Sequence, residues 1–448
     1  MLIGVQAEKR ARSIGLNQDS AAAIVHYVLI YIMVALGDSF LYDRILIYLC
    51  PAIAAVSLVL LLFNKKSNYL FPLSILPFSA LVVLCVRLKT NAVGVSELLV
   101  WFSMVCVTLL AVGFNISKFL ERLIKLTAAL SFFSVLIFFC SLLVPGIWSH
   151  FTPFSYLLTF GDDYWLDATT KLSTSYFQAH GLLLYVDRGF DSARNVGIFR
   201  EPAVYQVMLN SLIFVLLYMC PDSLKNKRVR LIALFVVTVL TTKSATGYLV
   251  CFALFFMYFI HVGVAGKRID AVYYVLIALG GAFLVSALFL GNSSWISESV
   301  FGRFFGGNGF SLDASGSART GAASISLKLI HEYPLGCGYD VYTSALNANV
   351  TGYVAACLFR VVAIYGIPFG IFVIFWIFYP LFLQPRMPMV AIFSFAFMYL
   401  MATFFENEIF YTTLIFIPIY LYCKNVAETS AQPLRAAASS FGVSREAR

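Results

Sequence analysis

Three groups of polar residues in this chain have the types and spacing to bind phosphate and move a proton. The first is the run 187–202, which carries Arg188, Arg194, Arg200, Glu201 and Pro202. The planar fork of arginine gives bidentate contacts to phosphate oxygens. Pro202 suits the first turn of a helix, because its missing N–H would have had no partner there. Glu201 then falls at the N-terminal end of that helix, where the dipole favours an anion. Two readings of Glu201 stay open. It is a helix-capping carboxylate, or an acid/base and substrate-positioning group beside phosphate-binding arginines.

The second group is the turn 241–247, which contains Lys243. The apolar stretch before it, from Arg230 to Thr242, has only 13 residues. At the helical rise that is about 20 Å, against a hydrocarbon core of about 30 Å. Either the basic stretch 225–230 extends the helix inward, or the turn lies below the outer surface. A polar turn at depth must line a wet cavity, and a lysine there suggests function. The alternative is a lysine that snorkels to the headgroups.

The third group lies on a helix expected from Ser317 to His331 and stopped by Pro334 and Gly336. At helical spacing Ser324, Lys328, His331 and Glu332 share one face, and Ala322, Ile325, Leu329 and Tyr333 another. This amphipathic segment could lie along the headgroup plane. Its polar face is either plainly solvated, or closes over a cavity with Arg319 and Lys328 on phosphate and His331 as a base. The glycine-rich stretch before it has no nucleotide-loop spacing, and no HExxH, CxxC or Gly-x-Ser-x-Gly pattern occurs. No metal or other cofactor is expected.

The elements that must position these groups follow from composition. Of 448 residues 61% are apolar and 12% charged, against about 45–50% and about 25% in soluble domains. Mean hydropathy is +0.87. These values exclude a soluble fold, a disordered chain and a disulfide scaffold. The fold class expected is an all-α polytopic integral membrane protein, one membrane domain over 1–448. Candidate membrane spans, read as mostly apolar runs, fall at about 21–36, 43–63, 69–87, 95–114, 124–145, 202–220, 228–242, 246–264, 270–290, 353–380, 387–404 and 407–423. That gives about 12 transmembrane helices. The span 353–380 contains Gly366 and Pro368, which predict a tilt or kink.

Lysine and arginine accumulate on the cytoplasmic side of spans. With the N-terminus inside, Lys65, Lys66, Lys118, Arg122, Lys125, Lys225, Lys227, Arg228, Lys267, Arg268 and Lys424 all fall on short inside segments. Both termini are therefore expected in the cytoplasm. The net charge of +9 marks this orientation and no nucleic-acid partner. Two extracytoplasmic loops are long, 146–201 and 291–352, the second with the amphipathic helix. Loops of this length are usually functional. The Ala/Ser-rich stretch within 425–448 is expected to be a disordered cytoplasmic tail. The nine cysteines fall in or beside apolar runs, except Cys337 in an aqueous loop, and behave as small apolar residues. Tyr164, Trp165 and Tyr176 of the first loop anchor it at the interface or stack on sugars.

Four segments carry a family resemblance. ARNVGIFREPAVYQVML (193–209) is similar to the Arg…Gly-Ile-Phe-x-Glu-Pro start of a span in the bacterial O-antigen and capsule polymerases of the Wzy type, relatives of the O-antigen ligases. TTKSATGYL (241–249) resembles their Ser-Arg/Thr-Gly-Tyr turn, with Lys243-Ser244 in reversed order. SARTGAASISLKLIHEYPLGCGYD (317–340) is similar to their Arg, helix and Pro-Leu-Gly-x-Gly turn. NANVTGYVAACLFRVVAIYGIPFGIFVI (347–374) resembles their Asn-rich start of a late span, without the His-Asn pair of the ligases.

The resemblance implies a metal-independent membrane glycosyltransferase in the bacterial inner membrane, with its active site facing the periplasm. Its donor and acceptor would be undecaprenyl-diphosphate-linked oligosaccharides, and a chain-length regulator protein a further partner. The implied catalytic residues are Glu201, His331, Arg194 and Arg319. The implied diphosphate-binding residues are Arg200, Lys243, Lys328 and Arg188. A ligase-like glycan transferase and a lipid-linked glycan flippase remain the alternatives. The long polar outside loops and the lack of an internal repeat favour an outward-facing enzyme over a transporter.

Overall fold

The computed structural model describes residues 20–39, 51–52, 54–59, 70–75, 77–78, 80–82, 95–143, 177–179, 185–187, 194–199, 201–264, 314–349, 357–385, 387–405 and 410–440. Among these residues 87% are helical. The helices include α1 (Ser20–Ala35), α2 (Leu70–Leu73), α3 (Val95–Phe114), α4 (Ile116–Leu143), α5 (Pro202–Tyr218), α6 (Arg228–Thr242) and α7 (Ala245–Val264), then α8 (Ala314–Glu332), α9 (Tyr339–Asn349), α10 (Cys357–Tyr365), α11 (Ile367–Phe382), α12 (Met389–Phe405) and α13 (Thr412–Ser440). The expected span 270–290 and most of 43–63 lie outside the described residues.

Among the described residues, two helical stretches are long and apolar enough to cross a membrane, Ile116–Cys140 and Ala245–Gly263. A third arises if the pair Pro202–Tyr218 and Asp222–Thr242, bent by 112°, is one span. Shorter apolar helices are Ser20–Ala35, Leu99–Phe114, Ile367–Phe382 and Met389–Phe404. Several of them carry outward stripes at helical spacing, such as Ile367, Ile371, Ile374, Phe375 and Phe382 on α11. Phe132, Phe133, Leu136 and Phe139 do the same on α4. Apolar patches of this extent need a non-aqueous neighbour, which lipid supplies.

The bundle is built around α5, fifteen of whose 17 residues are buried. A helix apolar on all sides belongs inside. It packs on α6, α7, α12 and α13. The start of α6 answers one open question from the sequence. A 3-10 helix, Asp222–Lys227, runs into Arg228, so the basic stretch does extend α6 at its N-terminal end. Arg228 then donates to the carbonyl of Leu217 (3.0 Å) and to the Tyr258 hydroxyl (2.8 Å), which closes the C-terminal end of α5. At the same end Lys118 and Lys125 pair with Glu121 (3.1 and 2.6 Å). Arg122 donates to Nδ1 of His26 (2.7 Å), so Nε2 carries the proton donated to the Ala111 carbonyl (2.9 Å).

Four features differ from the sequence reading. The first loop contains an antiparallel sheet, β1 (Phe177–Ala179), β2 (Tyr185–Asp187) and β3 (Arg194–Gly197), in the order β1-β2-β3. Its strands are too short for alternation to stand out in sequence. The span 353–380 is broken at Gly366 (φ +93°) into α10 and α11, a sharper event than a kink. Cys337 is not in an aqueous loop; it is 1% exposed, in a turn packed on that break. Finally, α13 runs to Ser440, into the stretch 425–448 expected as a disordered tail.

The break at Gly366 is closed by the turn 334–338. Cys337 N–H donates to the Ala363 carbonyl (2.9 Å), Gly338 N–H to Ile364 (3.1 Å) and Ile367 N–H to Pro334 (2.9 Å). The carbonyls left by the end of α10 thus find partners inside the protein, as apolar surroundings require. Trp101 packs beside this junction against Tyr365 and Phe410, with ring centroids 5.7 and 5.3 Å apart.

Candidate functional site

At the end of α5 opposite Arg228, strand β3 lies against α4, α5 and α6. The helix lengths separate the two ends by about 25 Å at 1.5 Å per residue. Here two of the singled-out groups meet. Arg194, the first residue of β3, donates from Nε to the Thr242 carbonyl (3.2 Å) and from Nη2 to the Lys243 carbonyl (3.3 Å). These carbonyls belong to the C-terminal end of α6, which favours a cation. Two of the five guanidinium N–H groups are committed to them.

Lys243 is the C-cap of α6 in the left-handed region (φ 50°, ψ 39°). That conformation is uncommon for a residue with a side chain, and such residues cluster at functional sites. The turn is buried: Lys243 is 8% exposed, and Thr242, Ser244 and Thr246 are buried with it. The snorkelling reading of Lys243 therefore does not describe this turn. Immediately after it α7 begins, with Ser244 Oγ accepting the Gly247 N–H (3.3 Å) as a helix cap. Burial, and after it the Arg194 guanidinium, lower the pKa of the Lys243 ammonium from the usual lysine value. Two cationic side chains thus meet at one short turn, between the negative end of α6 and the positive end of α7, and cations gathered in one place suit an anion.

Glu201 is the N-cap residue of α5, and its carboxylate makes no capping hydrogen bond. It is exposed, two residues beyond the buried Phe199. Of its two readings, the helix-cap role is the one this geometry lacks. Arg188 and Arg200 lie outside the described residues.

The third group sits elsewhere. The described face of α8 matches the expected one: Ser324, Lys328, His331 and Glu332 are exposed, and Ala322 and Leu329 buried. Lys328 is 4.0 Å from Glu332 along the helix. Arg319 lies on α8, and its side chain is outside the described set. α8 packs on α9 and α10, whereas Arg194 and Lys243 sit among β3, α4, α5 and α6. The structure brings Arg194 and Lys243 together, with Glu201 at the start of the adjoining helix. It does not place Lys328 and His331 with them.

Sequence inspection passed over a buried polar network beneath Arg194. The Tyr205 hydroxyl lies 2.9 Å from Ser134 Oγ and 3.3 Å from Ser131 Oγ. Asn195 Nδ2 donates to Ser134 Oγ (3.2 Å) and Thr241 Oγ1 (2.9 Å). On the next turn of α5, Asn210 Nδ2 donates to Gln206 Oε1 (2.8 Å) and to the Gly247 carbonyl (3.1 Å). The available signal was polar residues at i, i+3 and i, i+4 inside apolar spans: Ser131 with Ser134, and Gln206 with Asn210. Tyr205→Phe should destabilise the protein by about 1 kcal/mol, because it removes one buried hydroxyl from satisfied partners. Thermal unfolding in detergent measures this, and an unchanged midpoint would contradict it.

No protein-family model, curated protein or solved structure matches this chain.

Proposed function

We propose that the chain is a polysaccharide polymerase. In this reading it is a membrane glycosyltransferase that joins undecaprenyl-diphosphate-linked repeat units at the outer face of a bacterial plasma membrane. The observation that carries the proposal is the meeting of Arg194 with the Lys243 turn. Segments 48 residues apart, each resembling the polymerases on sequence alone, supply cations to one place.

The proposed topology has twelve spans and both termini in the cytoplasm. Its support is the separation of two kinds of polar residue. Lys118, Arg122, Lys125 and Arg228 gather at one end of the bundle, and the Arg194–Lys243 turn lies at the other. The positive-inside rule assigns the first end to the cytoplasm.

In the proposed reaction, a hydroxyl of the acceptor unit attacks the anomeric carbon of the donor glycan. The new bond is carbon to acceptor oxygen; the bond broken is carbon to the diphosphate oxygen, which takes the electron pair. Glu201, exposed beside the site, accepts the hydroxyl proton. Arg194, Lys243 and Arg200 stabilise the charge that develops on the departing diphosphate. Lys328, on the exposed face of α8, and Arg319 of the same helix meet phosphate of a lipid-linked unit at the headgroup plane, with His331 as a second candidate base, and Arg188 adds charge on the first loop.

Purified protein given lipid-linked repeat units should yield a ladder of products one repeat apart on a gel. Movement of those units across vesicles without a ladder would instead identify a flippase.

The lowered Lys243 pKa gives a pH test. A lysine binds an anion best when protonated, so inorganic diphosphate binding should weaken as pH rises through that value. The fall should come below the ~10.5 of an ordinary lysine. Titration calorimetry across pH would show it, and binding unchanged up to that pH would exclude Lys243 as a ligand.

A further inference from the structure

We propose that Asn195 is a positioning residue. It holds the strand carrying Arg194 against the 241–244 turn, so that the guanidinium stays on the carbonyls of Thr242 and Lys243. Only the functional consequence of this inference rests on the diphosphate reading of that turn; the positioning itself stands on geometry.

The Asn195 amide is fully buried, and both of its ends are used. Its Nδ2 donates to Ser134 Oγ on α4 (3.2 Å) and Thr241 Oγ1 on α6 (2.9 Å). Its Oδ1 accepts the Gly197 N–H (3.0 Å), the local bond by which asparagine shapes a turn. Thr241 spends its own proton on the Thr238 carbonyl (2.7 Å), which leaves its oxygen free to accept from Asn195. Ser134 is in turn bonded to Tyr205 of α5 (2.9 Å). One side chain therefore ties β3 to two helices directly and to a third through Ser134.

The turn after Asn195 allows little slack. Gly197 has φ +57°, and a Cβ there would lie 2.8 Å from the Tyr205 ring. A one-residue slip of a strand exchanges its faces, so it would remove Arg194 from Thr242 and Lys243. Only an amide fits the three bonds. Aspartate offers no donor, and an apolar side chain would strand the Gly197 N–H in a buried place.

The test follows Lys243, whose charged and titratable neighbours among the described residues include Arg194 and Tyr248. The full-length purified protein is acylated at a series of pH values with an amine-reactive ester, and Lys243 is quantified by peptide mass spectrometry. Losing Arg194 from the turn removes a like charge and admits water, so the labelling midpoint should rise in Arg194→Ala. Asn195→Ala should raise it by the same amount, and the double variant should match either single one, because the effect runs through Arg194. Thr241→Val should also raise the midpoint, and Thr241→Ser should keep the wild-type value. If Asn195→Ala fails to fold, the Thr241 pair decides. A midpoint unmoved in both Asn195→Ala and Thr241→Val, or additive shifts in the double variant, overturns the proposal. Inorganic diphosphate binding is measured on the same samples. Wild-type protein that does not bind it, with the labelling shifts still present, supports the positioning role and refutes the diphosphate reading.

Discussion

Replacing Arg194 with alanine is expected to leave the protein in the membrane and to abolish long-chain glycan. Arg194 joins the first loop to the Lys243 turn through the carbonyls of Thr242 and Lys243. Removing it takes one of two converging cations from the developing diphosphate charge. Loss of a single fixed donor to a transition-state oxyanion lowers a rate by about 10²–10³. A polymerase must repeat its reaction for each added unit, so a rate loss of this size should shift the products to one or two repeats. Arg194→Lys restores the charge and not the planar fork, so partial recovery is expected. Glu201→Gln should lose long chains as well, because it removes the proposed proton acceptor. Gel profiles of the glycan, with the protein's membrane level measured alongside, check all three. Normal chain length in Arg194→Ala would remove the turn from the proposed site.

Gly366→Ala is expected to be the most damaging small substitution in the described residues. The site has φ +93°, and a Cβ there would lie 2.6 Å from the Leu335 carbonyl carbon and 2.8 Å from its oxygen. Gly336 opposes it at φ +100°, its own Cβ position 2.6 Å from the Ile364 carbonyl oxygen. The atoms met are backbone, so no side chain can rotate away. The two strands of chain would have to separate, and the three hydrogen bonds that close the α10–α11 break would stretch or part. Backbone strain of about 1–3 kcal/mol adds to about 1 kcal/mol for each bond lost. A total of about 3–5 kcal/mol is a large share of an ordinary folding free energy of about 5–15 kcal/mol. Little Gly366→Ala protein should accumulate in the membrane, and its thermal midpoint in detergent should drop. Near wild-type levels and midpoint would show that the turn 334–338 does not clasp the break.

Helices long and apolar enough to cross a membrane, two or three of them among the described residues, were legible because apolar runs of that length stand out in the sequence. The start of α5 at Pro202, the end of α6 at Thr242 and the start of α7 near Ala245 fell where proline, the polar turn and the apolar pattern placed them. The buried and exposed faces of α8 followed from helical spacing. Other features depended on partners far along the chain. Nothing near residue 194 announces a four-residue strand, because β3 exists through its pairing with β2 and its packing on three helices. Cys337 looked solvent-facing because its neighbours are turn residues, while its burial comes from Ala363 and Ile364 beyond residue 360. Arg194 and Lys243 were each singled out by local chemistry. Their meeting, and Asn195 as the residue that fixes it, required the fold. Glu201 illustrates the converse: sequence position alone suggested a cap, and only the structure shows the carboxylate making no such bond.

The central claim concerns a bond that breaks, so the most direct measurement is of the leaving group. Purified wild-type protein and Arg194→Ala would be incubated with lipid-linked repeat units, and released lipid diphosphate counted against glycosidic linkages formed. The expected result is one lipid diphosphate per linkage in the wild type, with both falling together in Arg194→Ala. Repeat units consumed or moved without release of lipid diphosphate, or release unaffected by Arg194→Ala, would contradict it.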